Sequence, residues 1–67
     1  MKVSEAIGKK VFYMRENNIS TVKSVRKLEN YDNTGRDMFL CYLDNGAVLN
    51  SVVLHLAEDN SELKIED

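Results

Sequence analysis

The stretch DMFLCYLDNGAVLNSVVLHL, residues 37–56, decides how this chain folds. In DMFLCYLD, apolar side chains fall on both sides of an extended strand. Met38, Leu40 and Tyr42 share one side, and Phe39, Cys41 and Leu43 the other. A strand apolar on both sides reads as central and covered twice. DNG then marks a tight hairpin, because Asn-Gly readily takes the positive φ angles of a type I′ turn. AVLNSVVLHL returns as the partner strand. Its polar residues Asn50 and Ser51 mark a place for a bend or a single helical turn. The block is therefore a hairpin whose inner side supplies most of the core.

Working outward, SEAIG reads as a short helical lead-in, with Ile7 as its apolar anchor and Gly8 as its stop. KKVFYMR alternates as a strand does, with Val11 and Tyr13 on one side and Phe12 and Met14 on the other. ENN is a polar turn. ISTVKSVRKLEN admits two readings. Ile19, Val22, Val25 and Leu28 recur every three residues, as on a helix face that Asn18 would cap. Thr21, Val22 and Val25 are β-branched, and Ser20 and Ser24 are poor helix formers, which favours a strand bent or bulged midway. YDNTGR is a loop and AEDNSE a turn. Residues 59–67 make a short final strand or an acidic tail.

The expected class is mainly all-β: one domain spanning 1–67, with four or five antiparallel strands and a short N-terminal turn. Val11, Tyr13, Val25, Leu40, Tyr42, Val48 and Leu54 are expected in its core. The order is lead-in, strand, turn, long bent strand, loop, central strand, tight hairpin, strand and short final strand. It resembles the small SH3-like barrels, including Tudor and KOW-type domains. The likeness rests on IGKKVFYMRENN, on Ser24 and Val25 in a bent second strand, on FLCYLDNGAVL and on LHLAED, across roughly residues 7–58. The chain has no tryptophan for a proline-rich peptide groove. It also has no ALYDY-type acidic segment and no KOW glycine after the first turn. The resemblance therefore implies a barrel without naming its ligand.

Sixty-seven residues make a single domain with a marginal core. A chain of that size buries only about 60% of its unfolded surface. Cys41 is the one cysteine, so no internal disulfide forms, and the thiol reads as a buried hydrophobe in a reducing compartment. No apolar run has the length of a signal peptide or a membrane span, which points to the cytoplasm.

The net charge of −2 hides a split. Residues 1–28 carry seven basic and two acidic side chains, a net +5, and residues 29–67 carry two basic and nine acidic, a net −7. If strands one and two pair, Arg15, Lys23, Arg26 and Lys27 fall near each other and Lys9 and Lys10 extend the patch. Phe12 and Tyr31 add rings for stacking. That set is the candidate site for phosphates of nucleic acid or of a nucleotide. The acidic whole-chain balance argues against it.

No catalytic constellation is legible. On a strand, Ser51 and His55 would share a side but stand about 13 Å apart, beyond hydrogen-bond reach. Cys41 and His55 are too few for a metal site, and no glycine-rich phosphate loop is present. The chain is expected to be no enzyme, with no cofactor and no metal. Very small, Asn-rich, cysteine-poor barrels of this kind resemble bacterial or phage accessory proteins that dock on or inhibit a larger partner. Protein binding is the leading expectation, and nucleic-acid or small-anion binding the alternative. A homodimer or larger homo-oligomer through SVVLHL or its edge is also expected, because so small a domain cannot cover both sides of that strand.

Overall fold

The computed structural model describes residues 1–13, 15–16 and 18–66. Met14, Asn17 and Asp67, expected in the first strand, the first turn and the final segment, lie outside the described residues. The chain begins with the helical turn α1 (Val3–Ala6). Five strands follow: β1 (Lys10–Tyr13), β2 (Ile19–Leu28), β3 (Met38–Leu43), β4 (Val48–Asn50) and β5 (Leu54–Leu56). A 3₁₀ turn, Ser51–Val53, joins β4 to β5. All paired strands are antiparallel, in one sheet of order β4-β3-β2-β1-β5. The fold is all-β, as the alternation predicts. The sheet is not a closed barrel, since β4 and β5 stand at its two ends.

The ambiguous segment is a strand. β2 spans the whole sheet: its first residues pair with β1 and its later ones with β3. Its register shifts between Val22, opposite Leu43, and Ser24, opposite Tyr42. Lys23 is the extra residue of this bulge. The bulge changes which residues face inward. Ser20 and Val22 face the core before it, and Val25 and Lys27 after it. That switch sets Val22 and Val25, three residues apart, on the inner side, the spacing that imitates a helix face, while Ile19 and Leu28 lie on the outer side.

The core contains Val11, Val22, Cys41, Leu43, Leu54, Leu56 and Leu63. Two expected core residues, Val11 and Leu54, are fully buried, and Tyr13 and Val25 pack half-buried against the cluster. Leu40, Tyr42 and Val48 do not belong to it. β3 turns Phe39, Cys41 and Leu43 inward and leaves Met38, Leu40 and Tyr42 half-exposed. Val48, opposite Tyr42, shares that outer side and is 45% exposed. In α1 the buried anchor is Ala6, while Ile7 is exposed. Gly8 ends the turn at φ 92° and donates its N–H to the Val22 carbonyl at 2.8 Å.

The hairpin tip falls at DNG with a different turn. Leu43 N–H donates to the Ala47 carbonyl at 2.9 Å, and Gly46 N–H to the Leu43 carbonyl at 3.0 Å. Gly46 has φ 89°, whereas Asn45 is not among the positive-φ residues. This is a three-residue loop with a left-handed glycine, in place of type I′. Asn45 instead spends its side chain on the fold. Its Oδ1 accepts from Ala47 N–H at 2.9 Å, and its Nδ2 donates to the buried Ser20 Oγ at 3.1 Å.

SVVLHL is not one strand. Asn50 Oδ1 accepts from Val52 N–H at 3.2 Å and caps the 3₁₀ turn, so Val52 and Leu54 no longer share a side. Val52 is exposed and Leu54 buried. β5 then pairs with β1. Residues 61–66 return along the sheet. Leu63 N–H donates to Leu54 O at 3.0 Å, Leu56 N–H to Ser61 O at 2.8 Å, and Glu66 N–H to Met1 O at 2.8 Å. Leu63 is buried in the core and Ile65 packs against it, so this segment is part of the fold.

Candidate functional site

The expected basic patch is only partly assembled. Arg15 lies in the β1–β2 turn, at the Ile19 end of β2. Arg26 is seven residues farther along, about 23 Å at the usual strand rise. Arg26 and Lys27 occupy opposite sides of the sheet. Arg26 is exposed beside Leu40, whereas Lys27 shares the inner side with Phe39. The Lys27 Nζ lies 3.5 Å from Asp37 Oδ2 and 3.7 Å from Glu29 Oε1, which ties it to the end of the sheet. Lys10, opposite Thr21, and Lys23, in the bulge, share the outer side with Arg26. These three exposed cations form a sparse row rather than a cluster. Phe12 is on the same side, stacked on His55 with centroids 5.8 Å apart. Lys9 and Lys10 also flank a cavity of about 330 Å³ floored by Leu56 and Ala57.

A larger groove, of about 400 Å³, opens at the other end of the sheet. Three segments meet there: the β2–β3 loop, the 3₁₀ turn and residues 62–65. Phe39, Leu63 and Ile65 contribute apolar surface to its walls. Two exposed apolar side chains stand at its mouth, Tyr31 at 47% and Val52 at 59%. Charges of both signs border it, Arg36 and Asp37 from the loop, Glu62 and Lys64 from the C-terminal segment. Tyr31 belongs to the sequence-derived set. Val52 and the contribution of residues 62–65 were not legible, because the 3₁₀ turn that rotates Val52 outward breaks the period of two.

The loop forming one wall is held by its own side chains. Asn30 and Asn33 take positive φ of 47° and 62°. Asn30 N–H donates to Asp37 Oδ1 at 3.2 Å, and Gly35 N–H to Asn30 Oδ1 at 2.6 Å. The Thr34 hydroxyl donates to Asp32 Oδ1, and Arg36 pairs with Asp32 Oδ2 at 2.6 Å. The Thr34 hydrogen bond, joined by the Arg36 pair, holds the Asp32 carboxyl below its usual range, while Asp32 pushes the Arg36 guanidinium up. Turn-forming residues thus preset the shape of the groove wall.

His55 Nδ1 donates to the Asn60 carbonyl at 3.2 Å, while Ser51 is buried in the 3₁₀ turn. Burial pushes the Cys41 thiol up to about 11. Among the described residues, no group of three or more His, Cys, Asp and Glu side chains is placed to hold a metal ion. None of their helices is long and apolar enough to cross a membrane. The chain matches no family model, no curated protein and no solved structure.

Proposed function

We propose that this protein is a non-enzymatic interaction module of the accessory or inhibitor type, which docks on a larger protein through the groove beside Tyr31 and Val52. One observation carries the reading. Exposed apolar side chains stand over an apolar wall, inside a border of mixed charge. That is the anatomy of a protein-interface anchor site, where a buried apolar contact is ringed by polar groups. A volume of about 400 Å³ accommodates one large aromatic or aliphatic side chain of a partner segment. The self-bonded loop reduces the ordering cost of binding, because its wall is set beforehand. The order of turn, bent strand, central strand, hairpin and short last strand supports an SH3-like scaffold for this module.

A second reading is supported by the outer row Lys10, Lys23 and Arg26, with Phe12 alongside. Such a row could follow the phosphates of a single strand. Its sparseness and the chain's net −2 weigh against it.

Two measurements separate these readings. Indole serves as a probe of the groove in amide-resolved NMR, with Val52→Asp as the control. Shifts at Tyr31, Phe39 and Val52 that vanish in Val52→Asp are expected. Affinity capture from lysate should survive nuclease treatment and be lost with Val52→Asp. Capture that disappears with nuclease, or with Lys10→Glu/Lys23→Glu/Arg26→Glu but not Val52→Asp, would replace the groove reading with the nucleic-acid one. Absence of indole shifts at the groove would reject it directly.

A further inference from the structure

β1 and β5 diverge at one end, and a cavity lies in the gap. Their register runs through Tyr13–Leu54, Phe12–His55 and Val11–Leu56, and stops there. The next pair in that register is Lys10 with Ala57, and only half of it forms. Ala57 N–H donates to the Lys10 carbonyl at 2.9 Å. The return bond, from Lys10 N–H to the Ala57 carbonyl, is not made, because the chain turns away at residues 57–59. Asn60 N–H closes that turn on the Leu56 carbonyl at 2.9 Å.

The alternation of an antiparallel strand tells where the Lys10 N–H points. A residue that turns its carbonyl toward one neighbour turns its N–H the same way. The Lys10 N–H therefore faces the β5 side. β2 is served by Lys9 instead, whose carbonyl accepts from Val22 N–H at 3.0 Å. Among the described residues, no group accepts from the Lys10 N–H. The space on that side is the cavity of about 330 Å³ lined by Gly8, Lys9, Lys10, Leu56, Ala57 and Glu58. Leu56 and Ala57 give it an apolar floor. Lys9 and Lys10 bring two positive charges against the one negative charge of Glu58, a net +1.

An open backbone donor, a single net positive charge and an apolar floor define their own complement. It is a monoanion with acceptor oxygens at one end and a short hydrocarbon body at the other. A phosphate or sulfate dianion fits less well, because it leaves the floor wet and meets the Glu58 carboxylate. We infer that this cavity binds a small monocarboxylate, held by the Lys10 N–H and the Lys9 and Lys10 ammonium groups, with its aliphatic chain resting on Leu56 and Ala57. The same chemistry is offered by a free short-chain acid and by the last residue of a peptide. No residue of this cavity lines the groove beside Tyr31 and Val52, so the two sites are separate.

Amide-resolved NMR titration of the full chain tests it, with isovalerate for the free acid and N-acetylvaline for a peptide end. The Lys10 N–H should move downfield, with smaller shifts at Ala57 and Glu58, saturating in the millimolar range. Tighter binding of isovalerate assigns the free acid, and tighter binding of N-acetylvaline the peptide end. Isovalerate, with three more carbons than acetate, should bind roughly tenfold tighter than acetate. Isovaleramide, the uncharged isostere, should leave the Lys10 amide in place. Lys9→Gln/Lys10→Gln keeps the backbone donor and should weaken binding with an unchanged circular dichroism spectrum. Glu58→Gln should tighten it, since the opposing charge is gone. A Lys10 amide that moves with neither carboxylate would overturn the inference. So would equal shifts from isovaleramide or inorganic phosphate, or a Glu58→Gln variant that binds no tighter. Val52→Asp should leave this titration unchanged, so the groove reading and the carboxylate site fail separately.

Discussion

Leu63→Ala should destabilise the fold far more than its place in an acidic, near-terminal segment suggests. Leu63 is 1% exposed and packs in the same cluster as Leu54 and Val11. Truncation removes three buried carbons and leaves a void that the sheet can fill only in part. Substitutions of this kind cost about 2–5 kcal/mol. Residues 61–66 join the sheet by isolated bridges rather than a continuous ladder, so their backbone can relax and the lower half of that range is expected, about 2–3.5 kcal/mol. A 67-residue domain has about 3–10 kcal/mol in total, at roughly 0.05–0.15 kcal/mol per residue. The variant should therefore lose about a fifth of its stability at the least, and most of it if the total lies at the low end. At about 4–8 °C per kcal/mol the melting temperature should fall by about 8–28 °C. Urea unfolding followed by circular dichroism is the assay, with Lys64→Ala as the control. Lys64 is exposed, and its replacement should change stability by less than about 0.5 kcal/mol. The m value should stay constant. A loss below about 1 kcal/mol, or one equal to that of Lys64→Ala, would refute the claim that residues 61–66 complete the core.

Two further outcomes follow from local geometry. Gly46→Val should cost about 1–2 kcal/mol. A Cβ at Gly46 meets nothing within 4 Å, so the cost arises from φ 89° alone, and an unchanged melting temperature would contradict that backbone angle. Cys41 should resist thiol reagents at pH 8 until the chain unfolds, because burial holds it neutral up to about 11. The folded state keeps this proton while the unfolded thiol releases it near its ordinary 9.0, so stability should fall as pH rises between 9.0 and about 11. Cys41→Ala should flatten that slope, and equal slopes in the two proteins would remove Cys41 as its source.

Element types were legible where a local signal was unopposed. Gly8 ends the first turn, Asn50 caps the break before β5, and DNG closes the hairpin. The inner side of β3 was not legible, because Met38, Leu40 and Tyr42 are as apolar as Phe39, Cys41 and Leu43. The choice is made across the ladder. Cys41 and Leu43 stand beside Val25, Val22 and Leu49, whereas Leu40 and Tyr42 stand beside Arg26, Ser24 and Asn50. Reading those neighbours requires the position of the bulge, and Lys23 carries no residue-type mark of one. Adjacent residues of a strand face opposite sides, so Arg26 and Lys27 are parted wherever the bulge falls, and the shift decides only that Lys27 is the inward one. Tyr31 was picked from the loop, but its partner Val52 depends on the 3₁₀ turn. The groove itself depends on residues 62–65, whose alternation is too short to distinguish a tail from a core segment.

The placement of open apolar surface follows from the same arithmetic of size. β3 is apolar on both sides, yet one layer of chain is all that 67 residues provide to cover it. At the β1–β5 half the available chain is used for closure. Residues 61–63 bond along β5, Phe12 lies on His55, and Leu54, Leu56 and Leu63 are buried. At the β3–β4 half, no described segment bonds along β4 in the same way. Val48, Val52 and Tyr31 remain exposed there, with Leu40 and Tyr42 half-covered beside the last strand of the sheet, β4. Ile7 and Ile19 are exposed singly elsewhere, as is ordinary for surface residues. The groove and the exposed apolar residues of this half therefore share one cause: closing one half of the sheet leaves the other half only partly covered.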